Sequence, residues 1–114
     1  MMHKDISSEE INELQKITKK GVYRFNNRKK THAEYLGLAF LKYIIYANVS
    51  TWRTNHLNQF KNCPLTKGQR STAISFLNKQ KLVYSSENRK RWFCIKKEKL
   101  IDYMKMLEKE LGFQ

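Results

Sequence analysis

The stretch TKGQRSTAISFLNKQKLVYSSENRKRWFCI, residues 66–95, decides how this chain reads. It opens on Thr66 with Gln69 three residues later, a pair whose side chains can each satisfy a backbone N–H at a helix start. Ala73, Ile74, Phe76 and Leu77 then recur at helical spacing, which predicts a helix from about residue 67 to residue 80. Residues 81–85 and 90–95 alternate like two strands around Ser86, Glu87, Asn88 and Arg89, a polar hairpin tip. A helix feeding a short hairpin is the kernel of the fold.

Working upstream, Asn62-Cys63-Pro64-Leu65 reads as a turn, because proline disfavours helix in the residue before it. A short helix carrying Trp52, Leu57 and Phe60 is expected ahead of that turn, after a break at residues 48–51. Before the break lies the most apolar segment, residues 32–47, opened by the capping pair Thr31 and Glu34. Its apolar residues cover nearly the whole circumference of a helix, so it is either buried centrally or shared with a partner. Ser7 and Glu10 form another capping box, and Ile11, Leu14 and Ile17 predict a first helix over about 8–19 that Gly21 ends. Residues 22–25 are a candidate short strand, and residues 26–30 a basic loop. At the other end Leu100, Tyr103, Met104, Leu107 and Leu111 fall on one stripe, an amphipathic helix over 97–111.

This order of elements resembles the winged helix-turn-helix superfamily over residues 52–95. The resemblance sits in Leu65-Thr66 as the turn into a helix, in Ser71-Thr72-Ala73-Ile74-Ser75-Phe76-Leu77, and in the exit Asn78-Lys79-Gln80-Lys81-Leu82-Val83. Lys81 stands where the family very often has Gly, and Lys61-Asn62-Cys63-Pro64 lengthens the turn between the two helices. The expected fold is therefore α+β, mainly α with a small β-hairpin: a winged helix-turn-helix with extra N- and C-terminal helices. One domain spans 1–114, with N-terminal helices and a candidate strand over 1–47, the motif and wing over 50–95, and the last helix over 97–111.

The resemblance implies that helix 67–80 enters a DNA major groove, with its N-terminal half meeting base edges. Opposite its buried arc lie Gly68, Ser71, Thr72, Ser75, Asn78 and Lys79, small and polar enough for close approach to a groove floor. Ser and Thr read bases weakly; Gln69 suits adenine, and Lys67 a phosphate or guanine. Arg70 points toward the buried arc, where its stem covers the core. The wing, 85–91, brings Arg89, Lys90 and Arg91 to the DNA backbone. Read alone, these positions are a solvated helix face; the adjoining basic hairpin favours the interface. Trp92 reads as packing beneath the wing ahead of base stacking. A second cluster, Lys19, Lys20, Arg24, Arg28, Lys29, Lys30 and His32, interleaves with Tyr23 and Phe25. It suits single-stranded nucleic acid or a plain solvated edge, and both readings stay open.

Charge points the same way. Lys and Arg total 23 against 10 Asp and Glu, a net charge of +13 with a pI near 9.9. A field of that size attracts polyanions, as expected of a nucleic-acid binder. No segment has the amphipathic basic form of a membrane-surface helix, and the apolar run at 35–47 is too short to span a bilayer. The N-terminus turns acidic at once without an apolar leader, so the expected location is cytoplasmic and Cys63 and Cys94 are expected to be reduced. His3, His32 and His56 have no metal-ligand spacing to the cysteines, and there is no phosphate-cradling glycine loop. Neither an enzyme, a metal nor a cofactor is expected. The leading expectation is a duplex-DNA-binding protein in transcription regulation or in replication of a plasmid, phage or other mobile element. Its rivals are a single-stranded-DNA-binding replication or recombination accessory protein and an interaction module for an acidic protein. A homodimer through helices 97–111 and 32–47 is a further expectation.

Overall fold

The computed structural model describes residues 5–23, 32–54 and 60–113. It is mainly helical with one small antiparallel sheet, an α+β fold ordered α1 (Ser8–Tyr23), α2 (His32–Tyr46), β1 (Thr51–Arg53), α3 (Lys67–Lys79), β2 (Val83–Ser85), β3 (Arg91–Cys94) and α4 (Lys97–Leu111). The strands lie in the order β1-β3-β2. Thr51 faces Phe93, Trp52 faces Trp92 and Arg53 faces Arg91 across one ladder. Across the other, Val83 faces Cys94, Tyr84 faces Phe93 and Ser85 faces Trp92.

α2 is the axis of the molecule. Every residue from Tyr35 to Ile44 is buried, with α1, α3 and α4 packed around it. That is why its apolar residues show so little sidedness: it has no solvent face for most of its length. Its end is set by Asn48, which adopts a left-handed φ of 58° while Val49 N–H donates to the Ile44 carbonyl at 2.9 Å. Asn is, after Gly, the residue that tolerates this conformation best.

α1 begins as its sequence dictates. Ser7 N–H donates to Glu10 Oε1 at 2.8 Å and Glu10 N–H to Ser7 Oγ at 3.2 Å, a closed capping box. Leu14 and Ile17 are fully buried beneath it. The helix does not stop near Lys19, however, but runs through Gly21 to Tyr23, so residues 22 and 23 are helical and not the start of a strand. A single glycine costs a helix only about 1 kcal/mol relative to alanine, which the packing of α1 on α2 outweighs. Arg24 and Phe25 lie outside the described residues, as do Thr31 and the basic loop 26–30.

The second correction concerns Trp52. It was expected on a short helix and lies instead in β1, buried, between half-buried Thr51 and exposed Arg53. That inward ring meets Phe40 of α2 edge-on at 5.7 Å, and Phe60 at 5.8 Å. A β-branched residue, an aromatic and a long cation alternate as a half-buried strand requires, and β3 offers an edge to pair with. Leu57 lies outside the described residues, and Phe60 sits in a bend ahead of α3.

α3 follows expectation at both ends. Thr66 and Gln69 form the capping box, with Thr66 N–H donating to Gln69 Oε1 at 2.9 Å and Gln69 N–H to Thr66 Oγ1 at 3.2 Å. At its other end Leu82 N–H reaches the Leu77 carbonyl at 3.0 Å and Lys81 N–H the Asn78 carbonyl at 3.0 Å. This is a Schellman motif, closed by the apolar contact of buried Leu77 and Leu82. Lys81 takes φ 64° there, the left-handed position for which glycine is the usual choice. α3 crosses α2 closely: a Cβ added to Gly37 would fall 2.4 Å from the Phe76 ring.

α4 turns its stripe inward. Leu100, Leu107 and Leu111 are buried, Tyr103 and Met104 half-buried, and Gly112 at φ 82° caps the end. Between α1 and α4 the buried Lys42 ammonium is held by Glu13 and Glu108, while Tyr46 Oη donates to Glu13 Oε1 at 2.8 Å. Burial alone would depress the Lys42 pKa, but the hydrogen bonds to Glu108 and Glu13 outweigh it and raise the pKa above the usual lysine value. Among the described residues no helix is long and apolar enough to cross a membrane.

Candidate nucleic-acid interface

The face of α3 turned away from α2 stands across a groove from the inner face of the sheet. The groove holds about 570 Å³. Lys67, Ser71, Ser75 and Asn78 form its helical wall, and Thr54, Ser85 and Arg89 line the sheet side. Trp52, Phe60, Ile74 and Trp92 supply apolar surface between them. Among the described residues three cations, Lys67, Arg70 and Arg89, reach this space and no Asp or Glu lines it.

Local bonding fixes each wall. Asn78 Nδ2 donates to the Val83 carbonyl at 2.9 Å, tying the helix end to β2. Arg70 Nη1 donates to the Leu65 carbonyl at 3.0 Å, and its guanidinium lies 5.3 Å from the Phe60 ring centre. The expected covering role of Arg70 is thus what its contacts describe, with the charge kept at the groove. The hairpin tip is closed by Arg89 N–H to the Ser86 carbonyl at 2.9 Å and Ser86 N–H to the Arg91 carbonyl at 2.8 Å. Asn88 Oδ1 accepts from Ser86 Oγ at 2.8 Å and from Lys90 N–H at 3.1 Å. Thr54 braces the tip from β1, donating its N–H to the Lys90 carbonyl at 2.9 Å and its hydroxyl to the Arg89 carbonyl. Arg89 therefore projects from an anchored turn, at φ 58°.

The expected site residues divide accordingly. Lys67, Ser71, Ser75 and Arg89 come together in the groove. Gly68, Thr72 and Lys79 are exposed on α3 but outside the groove, with Thr72 Oγ1 donating to the Gly68 carbonyl at 3.2 Å. A Cβ at Gly68 would meet nothing within 4 Å, so the fold itself does not demand glycine there. Gln69 is half-buried and its side-chain oxygen serves the capping box. Lys90 is exposed on the hairpin, whereas half-buried Arg91 belongs to β3 and pairs in register with Arg53. Arg28, Lys29 and Lys30 lie outside the described residues, so the second basic cluster is seen only at its ends. Of these ends, Lys19 is exposed, and Lys20 lies 5.0 Å from the Phe113 ring centre.

Sequence reasoning missed Trp52, Phe60 and Thr54 as parts of this groove. The signal for Trp52 and Thr54 was the alternation Thr51-Trp52-Arg53-Thr54, which a helical reading hides. Trp92 is half-buried and stacks on Trp52 with ring centres 6.4 Å apart and planes at 15°, which accords with packing beneath the wing.

Burial pushes the Cys94 thiol up to about 12, and raises that of Cys63 as well, so both stay protonated at neutral pH. Both cysteines are free. Among the described residues no group of three or more His, Cys, Asp or Glu is placed to hold a metal ion. Comparisons with protein-family models, with curated proteins and with solved structures found no match to this chain.

Proposed function

We propose that this chain is a non-enzymatic duplex-DNA-binding protein of winged helix-turn-helix type, with α3 as the recognition helix and the hairpin 85–91 as its wing. The observation that carries the reading is the groove itself. Lys67, Ser71 and Ser75 on one wall and Arg89 on the other converge on a space lined by no carboxylate among the described residues. A major groove admits a helix whose outward side chains are small, and the flanking cations neutralise phosphates on either side of it. Charge segregation supports the same reading. Between Tyr35 and Lys97 the sequence carries twelve Lys and Arg and one acidic residue, Glu87. The role proposed is transcription regulation or replication of a mobile element.

Base discrimination in this reading comes from weak readers, Ser71, Thr72 and Ser75, while affinity comes from the flanks. The accompanying homodimer is proposed through α4, whose exposed side carries Met106. The α2 half of that interface has Tyr35 to Ile44 already buried within one chain.

The test is a titration of duplex and oligo-dT probes across a salt series. The reading predicts tighter binding to duplex, with log K falling linearly in log salt. Equal or tighter binding to oligo-dT transfers the function to single strands. Binding to neither at 0.1 M salt, a salt level at which phosphate-driven affinity normally persists, leaves the acidic protein partner.

A further inference from the structure

The sheet has a second face. Side chains alternate along a strand, so Trp52, Val83, Ser85, Trp92 and Cys94 share the side turned toward α2 and α3. Thr51, Arg53, Tyr84, Arg91 and Phe93 share the other. The two registers gather these five residues: Phe93 stands opposite both Thr51 and Tyr84, and Arg91 opposite Arg53. Tyr84 and Phe93 are stacked, with ring centres 5.5 Å apart and planes at 20°. Among the described residues the helices meet the sheet from the Trp52 side, as Phe40 of α2 does, and none covers Tyr84.

Tyr84 is 54% exposed, one of two large apolar side chains so exposed among the described residues. A cross-strand aromatic pair steadies a hairpin by up to about 1 kcal/mol, and half-buried Phe93 supplies that pairing. It does not call for a ring left open to water on its outer face. No Asp or Glu is among the five residues of this face. Flat π surface and positive charge on a rigid sheet match one class of ligand. Unstacked bases lie on aromatic rings while cations follow the phosphates. A duplex cannot use the rings, because its bases are stacked on one another and show only their edges.

The geometry points to the outer face of the sheet as a stacking platform for single-stranded nucleic acid, with the open face of Tyr84, backed by Phe93, receiving a base and Arg91 receiving a phosphate. The platform and the α3 groove lie on opposite sides of the same three strands. They are separate surfaces, and the platform stands whether or not the groove takes a duplex.

The experiment is an oligo-dT titration of the full chain, about ten nucleotides long, with ring resonances followed by NMR and affinity by anisotropy. Upfield shifts of the Tyr84 ring protons are expected, larger than those of Phe93 behind it. Tyr84→Ala weakens oligo-dT binding roughly tenfold, while Tyr84→Phe, which keeps the ring, stays within about twofold of the parent. Tyr84→Phe keeps the parental thermal midpoint, Tyr84→Ala lowers it by no more than the few degrees that the cross-strand pair is worth, and duplex affinity is unchanged. The proposal is overturned by unshifted rings, by a Tyr84→Ala variant that binds oligo-dT like the parent, or by no oligo-dT binding at all. Ring shifts produced by poly-glutamate and not by oligo-dT overturn it in favour of an acidic protein. Failure of the duplex arm alone touches only the groove.

Discussion

Two sets of cations in this protein are treated in opposite ways. Lys42 sits in the middle of α2, buried, with Glu13 of α1 and Glu108 of α4 closing on its ammonium. Lys67, Arg70 and Arg89 reach an open groove between α3 and the sheet that no carboxylate of the described residues lines. Eight of the ten acidic residues follow this division, with Glu34 on α2 and Glu87 on the hairpin outside it. Asp5, Glu9, Glu10 and Glu13 lie on or beside α1, and Glu98, Asp102, Glu108 and Glu110 on α4. One side of the molecule neutralises its own charge; the other presents it. Among the described residues the charge is therefore not spread evenly, and uncompensated cations border the surface with the small polar helix face.

The comparison breaks first at the hairpin. Replacing Arg89 and Lys90 together with alanine should weaken duplex binding by about two orders of magnitude at 0.1 M salt and lower the salt slope by roughly two. Melting should barely change, since Arg89 and Lys90 are exposed. Unaltered affinity would move the presented charge elsewhere on the surface.

The Lys42 cluster should behave in the reverse manner. Glu13→Gln with Glu108→Gln leaves a buried ammonium without counter-charge, an expected loss of about 3 kcal/mol in urea unfolding with little change in DNA affinity. Adding Lys42→Met to that pair removes the stranded charge and should restore most of the loss. A double variant as stable as the parent would show that the cluster is not the internal counterweight described above. Its pH dependence has a definite sign. The Lys42 pKa is raised in the folded state, so its contribution is complete below the ordinary lysine value of about 10.4 and disappears as pH rises through the folded value. Burial, and next the hydrogen bond with Glu13, push Tyr46 up to about 12, which acts in the same direction. Stability measured by denaturant titration should hold to about pH 9 and decline above 10, less steeply in the triple variant.

Gly37→Ala tests the joint between the two regions. The new methyl meets the Phe76 ring, and about 2 kcal/mol of stability should be lost as α3 is forced off α2. Smallest is Lys81→Gly, expected to stabilise by about 0.5–1 kcal/mol, because the left-handed φ of 64° no longer strains a side chain. Thermal melts read both; a loss with Lys81→Gly would mean that the Lys81 stem packs on something the backbone argument ignores.

Much of this architecture could be read from residue order because its signals are local. The Ser7/Glu10 and Thr66/Gln69 capping boxes, the all-round apolar surface of α2, the hairpin and the stripe of α4 each depend on neighbours within a few positions. Two readings failed where a distant partner decides. Gly21 ends a helix in isolation but not one packed on α2, and Trp52 becomes a strand residue because β3 lies alongside it, forty residues further on. Lys42 was visible in the sequence only as an interruption of an apolar run, since its carboxylates come from helices at the two ends of the chain. In the candidate site, Lys67, Ser71, Ser75 and Arg89 were legible from helical and hairpin periodicity. Phe60 and the pairing of Arg53 with Arg91 were not, because both arise from contacts across the sheet or the groove.

Lysine reactivity compares the two regions in a single experiment. Acetylation of the native chain, with and without a saturating duplex and read by mass spectrometry, reports each ammonium separately. Lys67 and Lys90 should be modified in the free protein and protected by DNA, Lys16, Lys97 and Lys105 on α1 and α4 modified equally in both, and Lys42 protected throughout. Protection of the α1 and α4 lysines by DNA, with Lys67 and Lys90 unchanged, would contradict the proposed interface.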